Sequence, residues 1–265
     1  MSEVGAPVQS ARPVVSCILP LYEDAELARR ALGSILSQTL ESLDVIVVDD
    51  SPSADLARAL TDLLDDARVR YFPGARTGNA ADNWNLGLSL AWGRWSVVIH
   101  HDEALADPGF LERAAHCLQN EPGRALLTRT AAPGPRRRFA FAHRLAALAH
   151  APAWTLYLAN WAGPTAAIVF PTDAGLRFDP RLAWLTDVDF YARLWRHTGP
   201  FLRDDVIAVI SIAHPRQITA QIDPIAAHRQ ELALLARLGD ERLAAWQIAL
   251  VGAGLGLKRL AKALG

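Results

Sequence analysis

Two cysteines in 265 residues exclude a disulfide framework. Cys17 lies inside an apolar run and reads as a small buried hydrophobe, so the chain reads as made for a reducing compartment. A formal net charge of −1 gives no general attraction to nucleic acid, and any basic function must be local. No apolar run reaches the roughly 18 residues of a membrane-spanning helix. The start, MSEVGAPVQSARP, has an early acid and no apolar h-region, unlike a secretory leader; residues 1–12 read as a flexible lead. The expected location is the cytoplasm, or the inner face of the membrane as a peripheral protein. Hydrophobic residues, in contrast, are plentiful: 51% against 21% charged, enough to bury a sizeable core.

The order of elements is an alternation. Residues 14–21 (VVSCILPL) form the continuous apolar run of a strand covered on both faces, and Leu27, Ala28, Ala31, Leu32, Ile35 and Leu36 follow at helical spacing. Residues 45–48 form a second strand; Leu56, Leu60, Leu63 and Leu64 share one helical face after it, with Ser51 or Ser53 as N-cap. Residues 69–72 read as a strand, 79–92 as a helix with Trp84, Leu88, Ala91 and Trp92 on its apolar stripe, and 95–99 as a strand. Alternation of this kind predicts an α/β fold with a mostly parallel sheet flanked by helices.

The second half is less regular. Strands are expected at 125–128, 163–171 and 206–212, and a helix at 187–197, capped by Thr186 and stopped by Gly199-Pro200. Asp187 and Asp189 suit the dipole of that helix start, with Thr186 and Asp189 as a capping-box variant. Residues 221–264 are helical in pattern, broken near Gly239-Asp240.

Two strands end in the same chemistry. LDVIVVDDSPS, residues 43–53, delivers Asp49 and Asp50; WSVVIHHDEALAD, residues 95–107, delivers His100, His101, Asp102 and Glu103. In open α/β sheets ligands bind outside the carboxyl ends of the strands, so two acid-tipped strands point to one polar site suited to a divalent cation and a phosphate-bearing ligand.

The segment ILPLYEDAELARRALGSILSQTLESLDVIVVDDSPS resembles the opening of the family 2 glycosyltransferases of the GT-A fold, with Ser34, Ile35, Gln38 and Thr39 matching its Ser-Ile-x-x-Gln-Thr-like helix. The likeness continues through NAADNWNLGLSLAWGRW and covers roughly residues 14–220. It implies a lead at 1–12, a GT-A domain at 13–220 (a nucleotide-sugar-binding half at 13–103 and an acceptor half at 104–220) and a C-terminal helical segment at 221–265. Carried over position by position, it places Pro20, Tyr22, Glu23, Asp49, Asp50, Asn79, Asn83, His100 and His214 around the donor. Asp102 becomes the last acid of the family's metal motif, with His100 in the position of the first, and Mn²⁺ or Mg²⁺ is the implied cation. Of the family's late Glu-Asp pair only the second member stands, as Thr186-Asp187, and Asp187 is the implied catalytic base. His214 with Gln217, Ile218 and Thr219 resembles a segment that closes over donor phosphates.

The implied activity is transfer of a sugar from a UDP-, dTDP- or GDP-sugar to a glycan, lipid-linked or small-molecule acceptor, with inversion, in bacterial-type surface-glycan or glycoconjugate synthesis. A nucleotidyltransferase lacks support, since Pro20-Leu21-Tyr22-Glu23 stands where such enzymes place a Gly-rich loop. A non-catalytic nucleotide-sugar or glycan-binding module stays open, because His100 and Thr186 replace acids. Trp154, Trp161 and Trp184 are candidate sugar-stacking platforms. Arg136-Arg137-Arg138-Phe139-Ala140-Phe141 suits a phosphate-bearing or membrane-surface acceptor, against the commoner reading of a solvated charge run. Residues 243–264, where an apolar stretch precedes Lys258, Arg259 and Lys262, fit an interfacial helix on anionic lipid and also a terminal helix packed on the core or in a homodimer.

Overall fold

The computed structural model describes residues 12–131, 151–212, 214, 222–238 and 243–263. The basic Arg136–Phe141 stretch, residues 217–219 and the helix break at 239–240 lie outside them.

β1 (Val15–Leu21) is buried along its whole length, and its side chains alternate between two cores. Val15, Cys17, Leu19 and Leu21 enter one, beside Ala28, Leu32 and Ile35 of α1 (Ala25–Leu36); Ile18 enters the other. β2 (Leu43–Asp49) repeats the pattern with Val45 and Val47 on one face and Ile46 and Val48 on the other. A strand apolar on both faces must be covered on both.

β3 (Val69–Pro73) and β4 (Trp95–Val98) complete a parallel unit, β3-β2-β1-β4. Beyond it lie β5 (Glu103–Leu105), β6 (Leu126–Ala131), β7 (Ile168–Pro171) and β8 (Leu202–Ser211), giving the order β3-β2-β1-β4-β7-β6-β8-β5 among the described residues. β7 is antiparallel to β4 and β6, β5 is antiparallel to β8, and β6 with β8 is parallel, so the second half makes the sheet mixed.

The helices differ in detail from the expectation. The Leu56–Leu64 stripe is split at Leu60 into α2 (Asp55–Ala59) and α3 (Thr61–Leu64). Ser53 accepts the Asp55 N–H at 3.3 Å, but Ser51 takes the N–H of Glu23 at 2.9 Å and so ties the end of β2 to the end of β1. α4 (Ala80–Leu90) is capped by Asn79, and α5 (Phe110–Asn120) packs five residues into the β1 odd-residue core. β8 begins earlier than its apolar residues suggested, because Arg203, Asp204 and Asp205 occupy a half of it that is largely open to solvent.

α6 (Thr186–Thr198) ends where Gly199 adopts φ +77°, a value that disfavours any side chain. Its start needs two corrections. Thr186 is the first helical residue rather than the cap, and its hydroxyl donates to Leu182 O at 2.6 Å. Asp189 is no solvated dipole carboxylate: it is 0% exposed, accepts Tyr157 Oη at 2.8 Å and pairs with Arg193 Nε at 2.8 Å. α7 (Pro224–Arg237), capped by Asp223, sends Leu232 and Leu235 into the core that holds Leu182, Leu185 and Val188. α8 (Ala245–Ala263) adds Val251 and Leu255 to the same core.

Candidate active site

The register of β1 on β2 sets Pro20 opposite Val48 and Leu21 opposite Asp49, so both strands end at one level. Pro20 is buried in the strand; Tyr22, just past its end, is half exposed. Asp49 and Asp50 then diverge. Asp49 is 3% exposed and already engaged, accepting the Ser51 N–H at 2.9 Å and Tyr71 Oη at 2.7 Å. Asp50 lies at the part-buried rim and accepts the N–H of Arg76 at 2.6 Å.

Two features mark the tight backbone geometry of this rim. Glu23 and Arg76 are the non-glycine residues of the described chain with left-handed φ, at 56° and 53°, and both flank Asp50's end of the crevice. A Cβ on Gly74 would stand 2.6 Å from Asp50 Oδ1 and from Asn83 Oδ1, so only glycine fits there. Asn83 is 4% exposed; its Nδ2 donates to Val48 O at 3.2 Å, while its Oδ1 has no protein partner. Asn79 instead spends its amide on structure, accepting Ala81 N–H and donating to Pro180 O at 2.7 Å.

The second acid-tipped strand turns at once. The N–H of His100 donates to Glu103 Oε2 at 2.9 Å and the N–H of Glu103 returns to His100 O at 2.9 Å, which starts β5. β5 pairs with the end of β8, the N–H of Ile212 reaches Asp102 O at 2.7 Å, and His214 Nε2 comes to 3.5 Å from Asp102 Oδ2. His101 lies beside it, 5.7 Å from His214 between ring centroids. The structure thus brings Asp102 and His214 together from positions far apart in sequence. Among the described residues no group of three His, Cys, Asp or Glu could hold a metal by itself. A carboxylate with a neighbouring imidazole is nonetheless a fitting partial donor set, because Mg²⁺- and Mn²⁺-type sites take one or two protein ligands and complete the shell with phosphate oxygens.

His100 sits deeper. Its ring packs on Trp84 with centroids 4.5 Å apart and both nitrogens are 3.5 Å from Thr165 Oγ1. Burial lowers its pKa, opposed by Asp102 and by Asp187, so the imidazole is neutral at pH 7 and feels both carboxylates. Glu103, buried at 3% exposure, accepts from His100, Thr165 and Ala166; burial and then Asp102 push its carboxyl up to about 8.

Asp187 stands in the second residue of α6. Its Oδ1 accepts the Val188 N–H at 2.7 Å and its Oδ2 accepts Asn160 Nδ2 at 2.9 Å. Asn160 is itself fixed by two bonds to Gly163, whose φ of 86° makes the tight turn possible. Burial pushes the Asp187 carboxyl from 3.8 up to about 6, opposed by the Val188 N–H and His100 and assisted by Glu103. The result is a carboxylate poised to exchange a proton near neutral pH.

Sequence reasoning missed Asn160, Gly74 and Thr165; it named Glu103 in the acid cluster but not its burial, and Trp84, which packs against the core as expected, also backs His100. Of the proposed stacking tryptophans, Trp161 is 8% exposed and donates to Thr155 Oγ1, and Trp154 packs edge-on against Trp246.

The family model described as Glycosyl transferase family 2 matches residues 16–181, well over half of the chain and inclusive of both acid-tipped strands. The chain belongs to family 2 of the glycosyltransferases. This glycosyltransferase is 34% identical over 93 residues to the succinoglycan biosynthesis protein ExoO of Rhizobium meliloti, covering 35% of its own length and 26% of ExoO. It is 28% identical over 124 residues to a GalNAc(5)-diNAcBac-PP-undecaprenol beta-1,3-glucosyltransferase of Campylobacter jejuni, covering 42% and 40% of the two chains. The chain spans less than two thirds of the length of the curated relatives it matches. Among solved structures, the mannosyltransferase PcManGT of Pyrobaculum calidifontis with GDP-Man and Mn²⁺ superposes with a TM-score of 0.68 at 17% identity, over 94% of this chain and 76% of that one. S. aureus TarS 1–349 with UDP-GlcNAc gives 0.66 at 15% identity, over 91% and 71%. These likenesses show the GT-A fold.

Proposed function

We propose that the chain transfers a sugar from a nucleotide-sugar donor to an acceptor hydroxyl with inversion, in the synthesis of a bacterial-type glycan. The observation that carries this reading is the pairing of two carboxylates in opposite settings around His100: Asp102 beside an imidazole at the strand ends, and Asp187 desolvated with a carboxyl near 6. The printed ligands of the two structural neighbours, UDP-GlcNAc and GDP-Man, support a nucleotide-sugar donor, and the Mn²⁺ of one supports a cation.

Asp102, with His100 and His214 flanking it, would hold a divalent cation. When bound, that cation supplies stabilisation of the negative charge on the departing diphosphate. Asp50, at the part-buried rim, would face the nucleoside, and the absence of a Cβ on Gly74 makes room for the Asp50 and Asn83 side chains beside it. Asp187 accepts the proton of the acceptor hydroxyl as that oxygen attacks, and Asn160 keeps its carboxylate aimed. Attack assisted from the face opposite the leaving group inverts the anomeric carbon.

α8 supports placing the enzyme at a membrane surface. Ala245, Trp246, Ala249, Leu250 and Ala253 make an exposed apolar stripe opposite buried Val251 and Leu255. The helix has no acid, and it carries Lys258, Arg259 and Lys262, so its charge complements anionic lipid. No helix of the described residues is long and apolar enough to cross a membrane.

A thermal-shift panel of UDP, dTDP, GDP and ADP with and without Mn²⁺ tests the donor class. A nucleotide at about 100 times its Kd adds about 2.7 kcal/mol, a rise of roughly 5–10 °C for a chain this size. Mn²⁺-dependent stabilisation by one base is expected. Binding without turnover of any corresponding sugar nucleotide would return the chain to the binding-module reading.

A further inference from the structure

The helix that presents Asp187 has no cap of its own. Leu185 is its N-cap residue and makes no side-chain cap bond, and the Thr186 hydroxyl is turned back to Leu182 O. Three successive N–H groups before the helix, those of Ala183, Trp184 and Leu185, would otherwise need partners. All three are taken by one carboxylate from another element. Glu231 Oε1 accepts from Ala183 at 2.9 Å and from Trp184 at 2.8 Å, and its Oε2 accepts from Leu185 at 2.8 Å. Consecutive N–H groups converging on an anion form a nest, and charge-assisted bonds of this kind hold geometry firmly.

Glu231 is held in turn. It lies on α7, where the next residue, Leu232, and Leu235 are buried in the core shared with Leu182, Leu185 and Val188. The helix is therefore anchored by its apolar face while its carboxylate grips the loop two residues before Asp187. On the other side of the same loop, Asn79 Nδ2 bonds Pro180 O.

We propose that Glu231 is a positioning residue for the transfer step: by accepting the N–H groups of Ala183, Trp184 and Leu185 it fixes the entry of α6 and so the place of Asp187. This rests on the reading of Asp187 as the base. It also makes α7 part of the catalytic apparatus of the acceptor half rather than an appendage to it. The carboxylate acts through backbone and Asp187 and touches neither donor nor acceptor.

The test is a double-mutant cycle on the full chain, reading nucleoside diphosphate release from UDP-glucose, UDP-GlcNAc and GDP-mannose, together with Mn²⁺-dependent affinity for UDP and GDP. Glu231→Ala is expected to lower turnover about tenfold or more, since misplacing a reacting group by about 1 Å can cost 10²-fold, with nucleotide affinity within about threefold. Glu231→Gln keeps one acceptor oxygen on the same stem and should recover much of the loss, to about threefold below the parent. In an Asp187→Asn background neither change should cost more, because the group it positions is already gone. A folded Glu231→Ala chain with parent turnover overturns the proposal, as do losses that multiply with Asp187→Asn. Should Glu231→Ala not fold, the Glu231→Gln pair decides by the same rule: parent turnover, or an equal loss with and without Asp187, overturns it. Failure of the underlying reading is seen separately, as Asp187→Asn turning over at the parent rate or as no turnover with any donor.

Discussion

The proposed donor half and the proposed acceptor half build their candidate sites by different means. In the donor half the sheet does most of the work: parallel β1 and β2 end at one level, so Asp50 follows from their register, while Asp102 sits on the turn past β4 that pairs onward with the end of β8. In the acceptor half the carboxylate is set by contacts that cross the chain. Asn160 reaches Asp187 over 27 residues, and Glu231 reaches Leu185 over 46. A site made by strand ends tolerates change in distant helices, whereas a site made by cross-chain hydrogen bonds fails when any one of them is lost. The two halves should therefore break separately, and the experiments below pull them apart.

The largest effect is expected in the donor half. Asp102→Ala should abolish the Mn²⁺-dependent part of UDP or GDP binding in the thermal-shift panel, because the remaining imidazoles are weak partners for a hard cation. Retention of Mn²⁺-dependent stabilisation would remove Asp102 from the cation site.

Next comes the acid limb of turnover, which belongs to the acceptor half. With its carboxyl near 6, Asp187 is protonated at lower pH and cannot accept the acceptor's proton, so kcat should fall about tenfold per pH unit below that value. A rate flat from pH 5 to 8 would contradict the assignment. The stability consequence has the opposite sign. A carboxyl raised from 3.8 to about 6 in the folded state favours folding when protonated; that contribution is full below about pH 4 and lost as pH rises through 6. Asp187→Asn should accordingly stay within about 1 kcal/mol of the parent at pH 8, with the lost Asn160 bond offset by removal of a half-buried charge.

Asp189→Asn sharpens the contrast two residues away. Here the carboxylate is fully buried between Tyr157 and Arg193, and neutralising it leaves the guanidinium with the Arg177 carbonyl but without this counter-charge. A loss of about 2–3 kcal/mol is expected, read as a fall of several degrees in Tm, with donor affinity of the folded protein unchanged. A change under about 0.5 kcal/mol would restore the solvated helix-start reading.

The smallest effect on catalysis is expected from α8. Trp246→Ser with Leu250→Ser removes two apolar side chains that are 56% and 49% exposed; turnover should stay nearly unchanged, with Tm lowered by a few degrees through loss of the Trp154 edge contact. Sedimentation with vesicles containing phosphatidylglycerol should fall about tenfold, since each half-exposed side chain adds about 1 kcal/mol on full burial. No vesicle binding by the intact chain would point to packing against a second copy.

The contrast between the halves also explains what the sequence made legible. Residues 14–99 carry local signals: apolar runs of strand length, helical stripes, and acids placed at strand ends, each readable within about ten residues. β5 was hidden because three residues carry no periodicity, and β8 was shortened because Arg203, Asp204 and Asp205 mask the part of it that lies open to solvent. Asn160 and Glu231 had no signal at all. One is a polar residue among tryptophans and the other a glutamate on a helix, and each gains meaning only from its partner in space. The fate of Asp189 shows the same limit, since a helix-start carboxylate looks alike in sequence whether it meets water or arginine.

The central claim, that Asp187 works on the acceptor and Asp102 on the donor, is tested most directly by measuring turnover and Mn²⁺-dependent nucleotide affinity side by side in Asp187→Asn. A general base typically contributes roughly 10²- to 10⁴-fold, so turnover should fall by that order while affinity for UDP or GDP stays within about threefold. Turnover at the parent rate, or a loss of nucleotide affinity that matches the loss of turnover, would contradict the account.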